Sequence, residues 1–133
     1  MRQTLMVRGL MLAGLMLALG CGTQTGSGAR VRGTVRFQDR PVPTGRIYFS
    51  PDVSRGGTGP QGFANIHNGT FDTAQQGRSA PLGPVVLRIS GGDGTRALFM
   101  PYDEPAELLT ADATLDLTVP ATRAIGATEM MVP

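Results

Sequence analysis

From residue 30 onward the chain is built of short runs in which apolar and polar side chains alternate, and most runs are closed by Gly, Pro or Asn-Gly. Successive side chains of a strand point to opposite faces, so runs of this kind bury a single face only as β-strands. Val31, Gly33, Val35 and Phe37 interleave with Arg30, Arg32, Thr34, Arg36 and Gln38, which makes one face apolar and the other strongly cationic. Asp39 to Gly45 holds two prolines and reads as a turn; beyond it Ile47 and Phe49 point inward between Arg46, Tyr48 and Ser50. These two runs are expected to lie side by side and antiparallel. Asn68-Gly69 sits between Gly62–His67 and Thr70–Thr73, and that dipeptide suits the positive backbone angles of a two-residue hairpin. Val85, Leu87 and Ile89 form a further inward row, and Leu115, Leu117 and Val119 the last. The stretch between, with Pro101 and Pro105, is expected to hold no more than a helical turn. Six or seven strands with Gly/Pro turns and no convincing helix predict an all-β sandwich over residues 30–120, with 121–133 a tail or a final edge strand.

The amino terminus follows a different rule. Met1 to Arg8 carries two positive charges, and Gly9 to Gly20 is an uncharged apolar run of twelve residues. A membrane-spanning helix needs about twenty, so residues 1–20 read as a signal peptide. The single cysteine follows at once, in Leu17-Ala18-Leu19-Gly20-Cys21. This arrangement resembles the lipobox of bacterial lipoproteins, which implies a diacylglyceryl group on the Cys21 thiol, cleavage before it and acylation of the new terminus. Ala18 and Gly20 also satisfy an ordinary secretory cleavage site, but that outcome leaves a lone thiol on an exported chain, where oxidising conditions make it a liability. Lipidation at Cys21 is therefore the expectation, with the membrane as partner through that anchor. Gly22 instead of Asp after the cysteine resembles the pattern sorted to the outer membrane. Residues 21–29 form a Gly/Ser/Thr tether whose eight residues after Cys21 would span roughly 16 Å as a coil.

Val31 to Pro51, with its Val-Arg-Gly-Thr-Val-Arg-Phe opening and Pro41-Val42-Pro43 turn, resembles the start of transthyretin-like, carboxypeptidase regulatory-like domains of planctomycete-type lipoproteins. Asn68-Gly69-Thr70-Phe71, Pro81-Leu82-Gly83 and Pro101-Tyr102 with Asp103 and Pro105 agree with it, so the resemblance runs from about Val31 to Val119. It implies a seven-stranded sandwich without a catalytic role. The hydroxyisourate hydrolases that are similar to this fold class need more than one His and a carboxyl-terminal Tyr-Arg-Gly-Ser, whereas this chain ends Glu129-Met130-Met131-Val132-Pro133.

Composition narrows the chemistry further. All twelve basic residues are Arg, two of them before residue 21, and all ten acids come after it, so the expected mature chain is charge-balanced and nucleic acid is a poor partner. The lack of Lys excludes Schiff-base catalysis and a lysine-ended phosphate loop. One His excludes two-His metal sites, and His67 beside the hairpin turn reads as an exposed turn residue. No cofactor is implied. Asp93, Asp103, Glu104 and Glu107 are the acidic candidates for a calcium site, although their spacing is irregular and a solvated loop accounts for them. Arg30, Arg32 and Arg36, with Tyr48 on the neighbouring run, are the candidate interaction surface for anionic headgroups, a glycan or an envelope protein. The expectation is a non-catalytic protein-interaction or structural module of the cell envelope, with a glycan- or calcium-binding module as the alternative.

Overall fold

A computed structural model describes residues 28–125, so the signal region, Cys21, most of the tether and the chain after Ile125 lie outside the described residues. The chain forms β1 (Gly28–Phe37), β2 (Arg40–Pro41), β3 (Thr44–Pro51), β4 (Gly62–His67), β5 (Thr70–Asp72), β6 (Gly77–Arg78), β7 (Ala80–Pro81), β8 (Gly83–Gly92), β9 (Tyr102–Leu108) and β10 (Asp112–Val119). Helical structure among the described residues is limited to two three-residue 3-10 turns, Val53–Arg55 and Ala121–Arg123. The fold is all-β, as the alternation requires.

Seven strands follow the order β10-β1-β5-β4-β3-β8-β9 in one curled sheet, with β2, β6 and β7 pairing at its sides. Among the described residues only β1 and β10 run parallel; the other strand pairs are antiparallel. The curl brings one face inside, where Val31, Val35, Ile47, Phe49, Val85, Leu87 and Ile89 are fully buried. The other face carries the arginines, threonines and carboxylates. Period-two burial of this kind fixes register, because a slip of one residue would turn every apolar side chain outward.

Two turns hold the hairpins. Asn68 and Gly69 have φ of 50° and 74°, and Gln38 and Asp39 have 52° and 61°. Consecutive positive angles give the turn whose twist matches that of the flanking strands. The second turn lacks the glycine that normally serves there.

Three expectations need correction. β1 and β3 are not neighbours: β5 and β4 stand between them, and the segment after Phe37 pairs back on β1 through the two-residue β2 and the Val42 N–H, which donates to the Val35 carbonyl at 3.1 Å. The stretch with Pro105 is no helical turn but β9, paired with β8 over seven residues from Ile89↔Tyr102 to Gly83↔Leu108. It lies at the sheet edge, where a proline without an N–H is tolerated. β1 begins at Gly28 and not at Arg30, since Ala29 is fully buried and pairs with Ala80. Of the segment expected as a tail or final edge strand, the described part, to Ile125, makes the Ala121–Arg123 turn and a bridge from Ala124 to Phe99.

The registers also sort the loops into two ends. Gly28, the 52–61 loop, the 73–82 segment and the 109–111 loop share one end; residues 38–43, the Asn68-Gly69 turn and 93–101 share the other.

Candidate functional site

The outer face of the sheet is where functional side chains gather. Arg32 and Thr34 of β1, Thr70 and Asp72 of β5, Asn65 and His67 of β4 and Thr114 and Asp116 of β10 stand on it because each alternates with a buried apolar neighbour. The loop after Asp72 brings Gln75 and Gln76 over the row, enclosing a shallow hollow of about 470 Å³. Thr34 Oγ donates to Asp116 at 2.8 Å, across the parallel pair. His67 is exposed, its Nε2 lies 3.3 Å from the Asn68 amide nitrogen, and it lines this hollow. Sequence reasoning placed His67 beside the turn but could not join it to Arg32 and Asp116, which are brought to it by strand order alone.

A second hollow of about 440 Å³ lies over β3, β8 and β9, lined by Tyr48, Ser50, Gln61, Val86, Arg88 and Asp103. Between the two stands a stacked group. The Arg46 guanidinium lies 4.8 Å from the Phe63 ring centre and 5.7 Å from that of Tyr48, and it donates to Asn65 at 2.8 Å and to the Tyr48 hydroxyl at 3.1 Å. A cation over two rings gains quadrupole attraction while its N–H groups stay bonded. One face of Tyr48 is thereby occupied, which leaves less of it for a sugar than the sequence suggested.

The arginine row is divided by its partners. Arg30 donates from Nε and Nη2 to Asp72 at 3.2 and 2.7 Å, and Arg32 approaches Asp112 at 3.8 Å. The first is a two-point pair, the second a loose one. The Arg30 guanidinium and the Ala74 N–H hold the Asp72 carboxyl below its ordinary range, Arg30 being the larger cause. Arg36 lies toward the opposite end of β1 and, like Arg40, makes no ion pair among the described residues. The three strand arginines thus share one face of β1 but differ in their partners.

The acidic candidates are likewise dispersed. Asp93 Oδ1 accepts the N–H groups of Thr95 and Arg96, both at 2.8 Å; these bonds, Arg96's the larger, lower its pKa. It caps its own loop. Asp103 points outward and takes both ends of Arg88 at 2.8 and 2.9 Å, which lowers its pKa in turn. Glu104 is on the core side of β9, opposite Leu87, and Glu107 is outside again. No three His, Cys, Asp or Glu side chains converge as metal ligands among the described residues. One Glu104 carboxylate oxygen is buried without a hydrogen-bond partner among them. An inward charge of this sort on an edge strand discourages a second sheet from pairing there.

Among the described residues no helix is long and apolar enough to cross a membrane. No family model and no curated protein matches the chain.

Proposed function

We propose that the protein is a lipid-anchored envelope lipoprotein whose non-catalytic, transthyretin-like β-sandwich takes an extended segment of a partner protein onto β10. The carrying observation is the contrast between the two sheet edges. β9 presents Pro105 and the inward Glu104, both devices that turn another strand away. β10 runs for eight residues without proline and, among the described residues, pairs with β1 on one side only. An unpaired row of N–H and C=O groups is a template for strand addition, in which main-chain bonds give affinity and neighbouring hollows give specificity. Thr114 and Asp116 of β10 line such a hollow. The lipobox-like Leu17 to Cys21 supports the anchor, and Gly22 after it supports the outer membrane.

A photoreactive residue at Asp116 in cells is expected to yield adducts with an envelope protein well above those obtained from Glu107. Equal or absent adducts from both edges would overturn the reading. The mass of the amino-terminal peptide tests the anchor separately, since acylated Cys21 and a bare thiol differ by the acyl groups.

A second reading, a glycan-binding module, is favoured by the hydrogen-bonding lining of the larger hollow, with amides from Asn65, Gln75 and Gln76 beside hydroxyls from Thr34 and Thr70. Ligand that binds only the folded state raises the melting temperature. A panel of envelope polysaccharides that leaves it unchanged disposes of this reading.

A further inference from the structure

The end of the sandwich at which the chain enters carries exposed apolar side chains that the core does not use. Val53, in the 3-10 turn after β3, is 78 % exposed; Leu82, between β7 and β8, is 40 % exposed; Leu109, just after β9, is 77 % exposed. Three separate loops supply them, and the strand registers bring the loops together. Gly83 pairs with Leu108, so Leu82 and Leu109 flank one rung of the ladder, and the Asp52 N–H donates to the Pro84 carbonyl at 2.9 Å, which seats Val53 beside them. Gly28 enters at this same end, where it pairs with Pro81. A single exposed leucine is ordinary, whereas several together at one place mark a contact surface.

We propose that this end rests on the bilayer, with Val53, Leu82 and Leu109 entering the headgroup region as an apolar foot. The proposal depends on acylation of Cys21, the anchor of the preceding reading. Only six residues separate Cys21 from Gly28, and the seven Cα steps between them reach at most about 25 Å when fully extended. The Gly28 end is thus held near the membrane, and it is the end that bears the three side chains. Charge plays a smaller part in the contact: three arginines at this end already face acids, Arg30 with Asp72, Arg32 with Asp112 and Arg55 with Asp52, and the exposed Arg78 makes no ion pair among the described residues. Apolar contact on a largely charge-paired surface fits a lipid layer with little regard to its anionic content. The remaining exposed large apolar side chains, Met100 and Ile125, lie at the opposite end and face away from the bilayer.

The chain contains no Trp, so Val53→Trp, Leu109→Trp and Met100→Trp each introduce a sole reporter. The acylated full-length product, its Cys21 state read by mass, is reconstituted in phosphatidylcholine vesicles with and without phosphatidylglycerol. Trp at 53 and at 109 is expected to emit at shorter wavelength and to be quenched by brominated lipid, equally in both vesicle types, while Trp at 100 behaves as in water. Water-like, unquenched emission at 53 and 109 in acylated protein overturns the foot, and so does quenching that requires phosphatidylglycerol. Blue-shifted emission at those positions in lipid-free detergent dilution, rising with protein concentration, assigns the surface to a second copy and also overturns it. Should mass show a bare Cys21 thiol, the anchor reading fails by itself; joining that thiol to a maleimide phospholipid and repeating the fluorescence then decides the foot independently.

Discussion

Gly33 of β1 lies directly against the backbone of Leu115 in β10, so that a β-carbon on Gly33 would be driven into the Leu115 carbonyl. Backbone cannot rotate aside as a flexible side chain does, so Gly33→Ala is expected to cost about 1–3 kcal/mol, the usual range for overpacking. Urea unfolding measures it, and a midpoint equal to that of the unaltered chain would show that β10 sits elsewhere. Displacement of β10 by this substitution should also lower adduct formation from Asp116.

The two hairpin turns invite an exchange. Gln38-Asp39 adopts the same consecutive positive angles as Asn68-Gly69 but with side chains poorly suited to them. Placing a side chain in the left-handed region costs roughly 1–2 kcal/mol, less for Asn and Asp, and none of it for glycine. The double substitution Gln38→Asn, Asp39→Gly is expected to raise stability by about 1 kcal/mol. Conversely Gly69→Ala should lose at least that much, because its β-carbon would also meet Pro41. Thermal melts of the two variants that move in the same direction would contradict this account.

Phe99 closes the core at the end opposite the chain's entry. It is 1 % exposed and its ring lies 5.1 Å from that of Phe37, tilted at 49°. Removing a buried phenyl leaves a cavity as well as losing transfer energy, and Phe99→Ala is expected to destabilise by about 3–5 kcal/mol. The same loss is expected of Phe49→Ala, whose fully buried ring faces Phe71 at 6.3 Å. A chain of this size has only 5–15 kcal/mol in hand, so either variant is expected to show a markedly lowered urea midpoint.

Acid should weaken the fold in a defined window. Asp52, Asp72, Asp93 and Asp103 all titrate below their ordinary value of 3.8, through hydrogen bonds from Ser54 and Arg55, from Arg30, from Arg96 and Thr95, and from Arg88 respectively. A carboxylate whose folded value is depressed binds protons more readily when unfolded, so stability is complete above the ordinary value and is lost as pH falls through the lowered ones. The melting temperature is therefore expected to hold from neutrality to about pH 5 and to drop below about pH 4. Asp72→Asn should melt lower than the unaltered chain at neutral pH and lose less on acidification. An acid slope identical to that of the unaltered chain would exclude the Arg30–Asp72 pair as a contributor.

Much of the core was legible before any coordinates. Val31, Val35, Ile47, Phe49, Val85, Leu87 and Ile89 point inward as alternation required, because a half-buried strand admits one apolar set only. Asn68-Gly69 forms its turn for an equally local reason. β9 was not legible. Its inward row runs Tyr102, Glu104, Ala106, Leu108, with a carboxylate among the apolar positions and Pro105 on the other face, so the period is masked. Phe99 was missed for a related reason: it lies in an irregular segment and is buried by the bridge to Ala124. Strand order is encoded in no single run, which is why alternation alone puts β1 beside β3. The polar hollow inherits that blindness, since His67, Arg32 and Asp116 meet only after β5 has come between β4 and β1. The apolar foot shared it, because Val53, Leu82 and Leu109 look like scattered surface residues until register gathers them.

The parallel pairing of β1 with β10 sets the order of events in the making of the molecule. Val31 waits for Ala113, and Thr34 for Asp116, partners 82 residues later in the chain. Contacts so distant in sequence form late and slowly, and during synthesis the opening strand lacks one flank until the closing one has emerged. A prematurely terminated product therefore exposes the unpaired backbone edge of its first strand to chaperones and proteases, and the completed domain certifies that its own carboxyl-terminal portion was made.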